Sequence, residues 1–437
     1  MSQVTLEKIT ETRYRAKVSA TAEFVSKARK ESIKKIKTEK TLPGFRKGKA
    51  PDHLILKKYP EQIREQQISQ LVYGYLPEVS SASENGLSEI IKVENIHLHD
   101  DHGAYELIFD TRPYAEIGKV KSIKLIENSY EVTEEEVNKE IKDVLQRNAE
   151  YEEKEGAAES GDKVVIDIEV LKDGVPEGEV IENREYVLGS SQLDADLEKD
   201  ILEKPGKAGD EFEFKKEIED ENGKTQHHNI ITIKAVKKPI LPELTDEIAA
   251  KSFQPAKTTA EVPVTVKDRL LKLIARQDRE KQLDQAIKDL QGTSTVHLPE
   301  SYLQAKVQEF VKERNLELTS LPEDMLKNLH EQIEAQERTQ VLVESLLRKA
   351  AEENESGQED RFETFLKAEL DETIANSILQ YYEARKAGKE LGYIENSLLS
   401  TMLTQYNQKL LFDYIAKAGS LKKGSKPLTF ADLKKTS

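Results

Sequence analysis

Leu42-Pro43-Gly44-Phe45-Arg46-Lys47-Gly48-Lys49-Ala50-Pro51 sets one aromatic and three cations among two glycines and two prolines. Glycine accepts a positive φ, so Gly44 and Gly48 let the backbone bend on both sides of Phe45-Arg46-Lys47. Pro51 suits the first turn of a following helix, where its missing N–H costs nothing. The pattern predicts a turn-rich tip. Phe45 can bury apolar area on a partner, and Arg46, Lys47 and Lys49 can contact phosphate or carboxylate. From Lys27 to Lys49 there are ten cations and two anions, Glu31 and Glu39, a net +8 in a chain of net charge −16. One basic end on an acidic chain is the electrostatic footprint of a polyanion partner. The residues alone leave two plainer readings open: a surface loop with Phe45 tucked into its own domain, and lysines that form only a solvated face.

Other candidate chemistry is thinner. His97 and His99, in His97-x-His99-Asp100-Asp101-His102, share a strand face and can reach one ion. A polar turn is the commoner fate of such a cluster, and no metal is expected. No Ser-His-Asp set or Gly-rich phosphate loop stands out, carboxylates are too abundant for any pair to inform, and no cofactor is expected. The chain has no cysteine, which removes disulfide and thiolate chemistry and fits a reducing compartment.

The elements that must hold the tip follow from periodicity. Thr12–Val18 alternates with cations at every odd position and predicts a half-buried strand. Val4 and Leu6 begin a weaker strand signal. Phe24, Val25, Ala28, Ile33 and Ile36 make an apolar stripe on a helix over 21–38. A second helical stretch over 52–76 is expected to restart at Pro60 and to kink or stop at Pro77. Strands are expected over 88–99 and 104–110. The tip therefore joins two long helices backed by a small sheet.

Arg112-Pro113-Tyr114-Ala115-Glu116 reads as a crossing linker, and 119–131 as extended. Thr133 and Glu136 form a capping box, with Val132 and Val137 as its hydrophobic staple, for a helix to about Tyr151. Residues 162–238 are β-rich, with strands at Val164–Val170, Glu211–Phe214 and Asn229–Val236 and turns at Asp173-Gly174 and 204–209. After Pro239 the chain is almost entirely helical: Thr245 caps the first helix, and amphipathic stretches follow at 259–291, 299–315, 322–353, 358–389 and 391–418. Residues 419–437 read as a frayed tail. The fold class is α+β multidomain, and the length of 437 residues suggests about three domains. Charged residues are 34% against about 25% for an ordinary domain, which predicts much surface per residue. The start Met1-Ser2-Gln3-Val4-Thr5 lacks a cationic lead into an apolar run, and no apolar stretch reaches bilayer length, so a cytoplasmic location is expected.

Gly44-Phe45-Arg46-Lys47-Gly48-Lys49-Ala50-Pro51 resembles the ribosome-docking tip of the trigger factor family, whose pattern is Gly-Phe-Arg-x-Gly-x-x-Pro. All five fixed positions match. The order of segments is similar to that family over nearly the whole length. Local matches are Arg112-Pro113, Lys207-Ala208-Gly209-Asp210 and Leu241-Pro242-Glu243-Leu244-Thr245-Asp246-Glu247. The resemblance implies an α+β ribosome-binding domain over 1–112 and a linker with the first body helix over 113–154. It further implies an inserted β-rich head of the FK506-binding-protein type over 155–240 and an all-α C-terminal body with arms over 241–437. It implies an ATP-independent chaperone that docks at the ribosomal exit and binds nascent polypeptides. Gly44, Phe45, Arg46, Lys47, Gly48 and Pro51 would form the dock against a ribosomal protein and rRNA. A homodimer off the ribosome and no membrane contact are implied too.

The resemblance also implies prolyl cis–trans isomerisation in the head. That reaction needs no nucleophile, only a site that binds the twisted amide better than the planar one. Related sites are lined with aromatics, whereas 156–238 contains only Tyr186, Phe212 and Phe214. Ile168 and Asn229 fall where the family has aromatics, and Asp194–Glu198 replaces the usual pocket floor. Ile168, Tyr186, Leu197 and Asn229 are the pocket candidates, and weak or absent isomerase activity is expected. In the body, the stripe Leu398, Leu399, Met402, Leu403, Tyr406, Leu410, Leu411, Tyr414 and Ile415 is expected to be mostly core. The rival readings are a folding enzyme acting through the head, a nucleic-acid-binding protein using its basic end and, less favoured without an export signal, a periplasmic chaperone-isomerase.

Overall fold

The computed structural model describes residues 3–99, 102–172, 175–176, 180–190, 192–204, 206–220, 223–314, 316–318, 321–353, 358–370 and 372–435. The chain divides into two compact units, 1–127 with 279–424, and 128–278 with 425–437.

The first unit begins with β1 (Gln3–Lys8), β2 (Arg13–Ala20), α1 (Ala22–Glu39), α2 (Asp52–Lys58), α3 (Pro60–Ala82), β3 (Leu87–Leu98) and β4 (Gly103–Thr111). The four strands form one antiparallel sheet in the order β1-β2-β4-β3. Successive side chains alternate across a strand, so Ala16 and Val18 of β2 enter the core with Leu107 and Phe109 of β4. The odd-numbered cations face outward, where Arg15 lies 3.4 Å from Glu106 and 3.6 Å from Glu94. Val25 and Ala28 of α1 and Leu71, Val72, Tyr75 and Val79 of α3 cover the inner face. Helix α3 does not stop at Pro77 but continues to Ala82. Val79 lies beyond the proline and is fully buried. Its burial holds the last turn although Pro77 cannot donate to the Tyr73 carbonyl.

The expected linker contains β5 (Tyr114–Glu116), and a single 3₁₀ turn at Val120–Ser122 precedes β6 (Lys124–Glu127). In the second unit, α4 (Glu134–Arg147) starts on its capping box. The Thr133 hydroxyl accepts from the Glu136 N–H at 3.2 Å, and Glu136 accepts from the Thr133 N–H at 2.9 Å. Val132 and Val137 are both buried, with Phe253 and Val266. The helix ends at Arg147 rather than Tyr151. The Asn148 side chain donates to the Val144 carbonyl at 2.9 Å and closes the last turn. β7 (Glu150–Glu153) then pairs with a later strand.

The β-rich segment comprises β8 (Lys163–Lys172), β9 (Val175–Pro176), β10 (Ile181–Val187), α5 (Ala195–Glu203), β11 (Glu211–Asp220) and β12 (Gly223–Ile240). Its antiparallel sheet runs β10-β8-β12-β11, with β7 beside β12 and β9 beside β8. Asp173-Gly174, expected as a turn, and Pro205 of the expected 204–209 turn lie outside the described residues. Helix α6 (Asp246–Ser252) is capped by the Thr245 hydroxyl, which accepts from the Ile248 N–H at 3.3 Å. α7 (Val262–Gln291) carries the chain back into the first unit.

That unit is completed by β13 (Thr295–His297), α8 (Glu300–Glu313), α9 (Glu323–Glu352), α10 (Gln358–Glu369), α11 (Glu372–Lys386), α12 (Tyr393–Ala418) and β14 (Ser420–Lys423). β13 pairs with β5, so the linker is a pinned strand rather than a free crossing. The stretch expected as one helix over 358–389 is two. Phe362, Phe365 and Leu366 of α10 share a core with Ala375 and Ile378 of α11. A straight helix would carry Ile378 roughly 18 Å from Leu366. The tail expected to fray is ordered over its described residues, 419–435. β14 pairs in parallel with β6, and in the second unit α13 (Phe430–Lys435) follows, with Leu433 buried. The β6–β14 pairing joins residues about 300 positions apart, which no local pattern can announce.

Of the body stripe, Leu399, Met402, Leu411, Tyr414 and Ile415 are buried, Leu403, Tyr406 and Leu410 half-buried, and Leu398 exposed. Among the described residues no helix is long and apolar enough to cross a membrane.

Candidate functional site

The tip is a loop with its own small core. Ile33 and Ile36 of α1, Ala50, Ile55 of α2 and Ile63 of α3 are buried together, with Leu42 and Tyr59 packed against them. The Tyr59 hydroxyl donates to the Thr41 carbonyl at 3.3 Å, and the Gly48 N–H donates to the Lys37 carbonyl at 3.1 Å. The Lys37 ammonium meets Asp52 at 2.7 Å, which ties α1 to α2 at the base of the loop. The Phe45 N–H donates to the Leu42 carbonyl at 3.0 Å, and the Lys49 N–H to the Arg46 carbonyl at 2.9 Å, so two turns follow one another.

Gly44 has φ +88° and Gly48 φ +80°, both in the left-handed region that side chains rarely enter. Pro51 sits at the N-cap of α2 rather than inside its first turn, and the helix starts at Asp52, where the sequence puts it. The outcome is a raised rim on which Phe45, Arg46, Lys47 and Lys49 are all exposed, Phe45 to 38%. Among the described residues no carboxylate pairs with Arg46, Lys47 or Lys49. An apolar ring beside unpaired cations can bury area on a protein while its cations engage carboxylate or phosphate.

The β-rich segment brings the four candidates to one face. Ile168 and Tyr186 pack half-buried against a core that contains Leu197 of α5, Phe212 and Ile231. Ile168 stands opposite Ile231, and Asn229 opposite Phe214. Asn229, Ile231 and Phe214 thus continue one surface. Sequence reasoning left out Phe214 and Leu193, which pack against the same core. The alternation Glu211-Phe212-Glu213-Phe214 carried the signal for Phe214. The Asn229 side-chain oxygen is buried with no donor among the described residues, a polar atom set into an apolar face. Asp167, next to Ile168, points to the opposite face. There it accepts from the Asn183 N–H at 2.8 Å and meets Lys234 at 3.2 Å, and both hold its carboxyl below the usual range.

The His97 and His99 side chains are exposed, and the His99 and His102 rings stack at 4.3 Å. Asp100 and Asp101 lie outside the described residues. Among the described residues no three His, Asp or Glu side chains gather to hold a metal. At the start of α12, Tyr393 is 89% exposed and Ile394 71%, with Leu398 one turn on.

Residues 2–144 match the family model described as bacterial trigger factor protein. The trigger factor of an Exiguobacterium species is 30% identical over 306 residues, 67% of this chain and 70% of the relative. That of Thermomicrobium roseum is 26% identical over 314 residues, 70% of this chain and 63% of the relative. A solved structure described by promiscuous substrate recognition in the folding and assembly activities of the trigger factor chaperone is 20% identical. It covers 95% of this chain and all of its own, with a TM-score of 0.45. The family model covers the tip with the sheet and helices that carry it, and the Exiguobacterium relative extends the similarity over two thirds of the chain. The chain belongs to the trigger factor family of ribosome-associated chaperones.

Proposed function

We propose that the 44–51 tip is the ribosome dock. Phe45, Arg46 and Lys47 make the contacts, on a ribosomal protein and rRNA beside the exit, while Gly44, Gly48 and Pro51 shape the loop. The observation that carries this reading is the pair of left-handed glycines that raises an exposed Phe45 with unpaired cations on a rim. In this reading 1–112 docks, 113–154 links and starts the body, 155–240 is the head and 241–437 shelters emerging chains. Shelter is reversible contact with exposed apolar side chains such as Tyr393, Ile394 and Leu398, and uses no bound nucleotide. The protein works in the cytoplasm and forms a homodimer when off the ribosome.

Ribosome co-sedimentation at several salt concentrations tests the dock. The variant Phe45→Ala/Arg46→Ala/Lys47→Ala, checked for folding, is expected to lose about 30-fold or more in affinity, as removal of a hot spot does. Equal pelleting of both proteins at every salt concentration would refute the tip assignment.

The head is proposed as an FK506-binding-protein-type domain with little isomerase activity, its groove formed by Ile168, Tyr186, Leu197 and Asn229. The buried, unpartnered Asn229 oxygen supports this, because it disfavours an apolar proline ring beside it. A prolyl-peptide assay on the full-length protein is expected to show slow turnover. Rapid catalysis would overturn this view of the groove.

A further inference from the structure

Helices α1 and α3 leave an open groove of about 420 Å³ between them. That volume lies within the roughly 300–1,000 Å³ of small-molecule sites. Lys27, Glu31 and Lys35 line it from α1, each four residues from the next and therefore in one row. Gln66, Ser69, Gln70 and Tyr73 line it from α3 in a second row, and the Phe24 ring lies between. Tyr73 is 67% exposed, whereas Tyr75, on the other side of the same helix, is 4% exposed and belongs to the core. Among the described residues no ion pair joins Lys27, Glu31 and Lys35, although their spacing would allow one. Further cations, Lys37 and Lys40, follow towards the tip, with Lys27 about 20 Å from Lys40.

We propose that this groove binds an unpaired RNA nucleotide. Its base stacks on Tyr73, its flanking phosphates meet Lys27 and Lys35, and Gln66, Gln70 and Glu31 face the base edge. Charge complementarity selects the occupant: Lys27 and Lys35 outnumber Glu31 in the lining, and the α1 wall begins the +8 span of an otherwise acidic chain. A polypeptide would be held by apolar walls, and this lining is mostly amide, hydroxyl and charge. A paired base offers no free face for the tyrosine, so the nucleotide is single-stranded. The proposal rests on ribosome docking only for where such RNA is met.

The test uses full-length protein and a fluorescein-labelled short oligouridine, read by anisotropy at low and high salt. Tyr73→Ala is expected to weaken binding about ten-fold, and Tyr73→Phe to bind like wild type. Lys27→Ala/Lys35→Ala is expected to weaken binding and lower the salt slope by about two. Unchanged binding by Tyr73→Ala overturns the proposal, as does equal affinity for duplex RNA of the same length. Displacement of the RNA by an unfolded, carboxymethylated protein that itself depends on Tyr73 assigns the groove to polypeptide and overturns it too. A fall in melting temperature for Tyr73→Ala that accounts for lost binding makes Tyr73 a residue of the fold, with the same consequence. No ribosome is present, so failure here leaves the dock standing, and failure of the triple tip variant to lose pelleting leaves this measurement standing.

Discussion

Asp110 is 1% exposed at the end of β4 and accepts three hydrogen bonds. Arg13 donates two, at 2.7 and 3.0 Å, and the Ser301 hydroxyl of α8 donates one at 2.7 Å. Burial pushes the carboxyl up, but Arg13 and Ser301 outweigh it and hold it below the usual range. The unfolded chain therefore takes up the proton first. The stability from this carboxylate is complete above about pH 4 and is lost as the pH falls towards the folded value. Asp110→Asn should flatten the acid limb of the stability profile measured by urea unfolding. Asp110→Ala should cost about 3 kcal/mol at neutral pH, because it strands the half-buried Arg13 guanidinium without its carboxylate. At this scale the sequence was most informative where a residue type has a single local use. Gly44 and Gly48 were legible because left-handed backbone selects glycine. Asp110 was not, because its partners are Arg13, 97 positions away, and Ser301, 191 positions away.

Among the elements, those that close on themselves could be read from sequence. The Thr133 box, the apolar stripe over 21–38 and the Pro60 restart all follow from neighbours within four residues. Thr133→Ala should lower stability by about 1 kcal/mol, read as a shift in the urea midpoint, with the fold intact. Elements made by distant pairing were not legible. Ser420–Lys423 looks like solvated tail until Lys124–Glu127 is set beside it. Gly419 makes that junction possible: a Cβ there would sit 2.6 Å from the Ile123 carbonyl oxygen and 2.9 Å from that of Ile415. Both obstacles are backbone, so Gly419→Ala must displace α12 or β6. The expected result is faster amide exchange along β14 and a lower melting temperature. Unaltered exchange there would show that the strand pair does not depend on this approach. The inner face of the β10-β8-β12-β11 sheet was half legible, because alternation places Phe212 and Phe214 inward but not which partners they meet.

Across the whole molecule, each compact unit is assembled from separated stretches of chain. In the second unit Tyr130 bridges Leu428, Phe430 packs against the core of α4 and α6, and Leu433 is buried. Deleting 425–437 should destabilise that unit by about 2 kcal/mol or more, the value of one buried leucine, and differential scanning calorimetry would register it. Composition gave no hint of this interleaving. The interleaving also sets a timetable for the protein's own synthesis. The sheet core of 16–109 is complete early and can close as soon as β4 has emerged. Ile123 and Leu125 must wait for Leu283, Leu342 and Ile415 before their core exists, and the core of α4 and α6 waits for Phe430. A ribosome making this protein therefore holds an early, basic, finished end and a long unfinished remainder. For most of its own birth, the chain is the kind of client that its family attends.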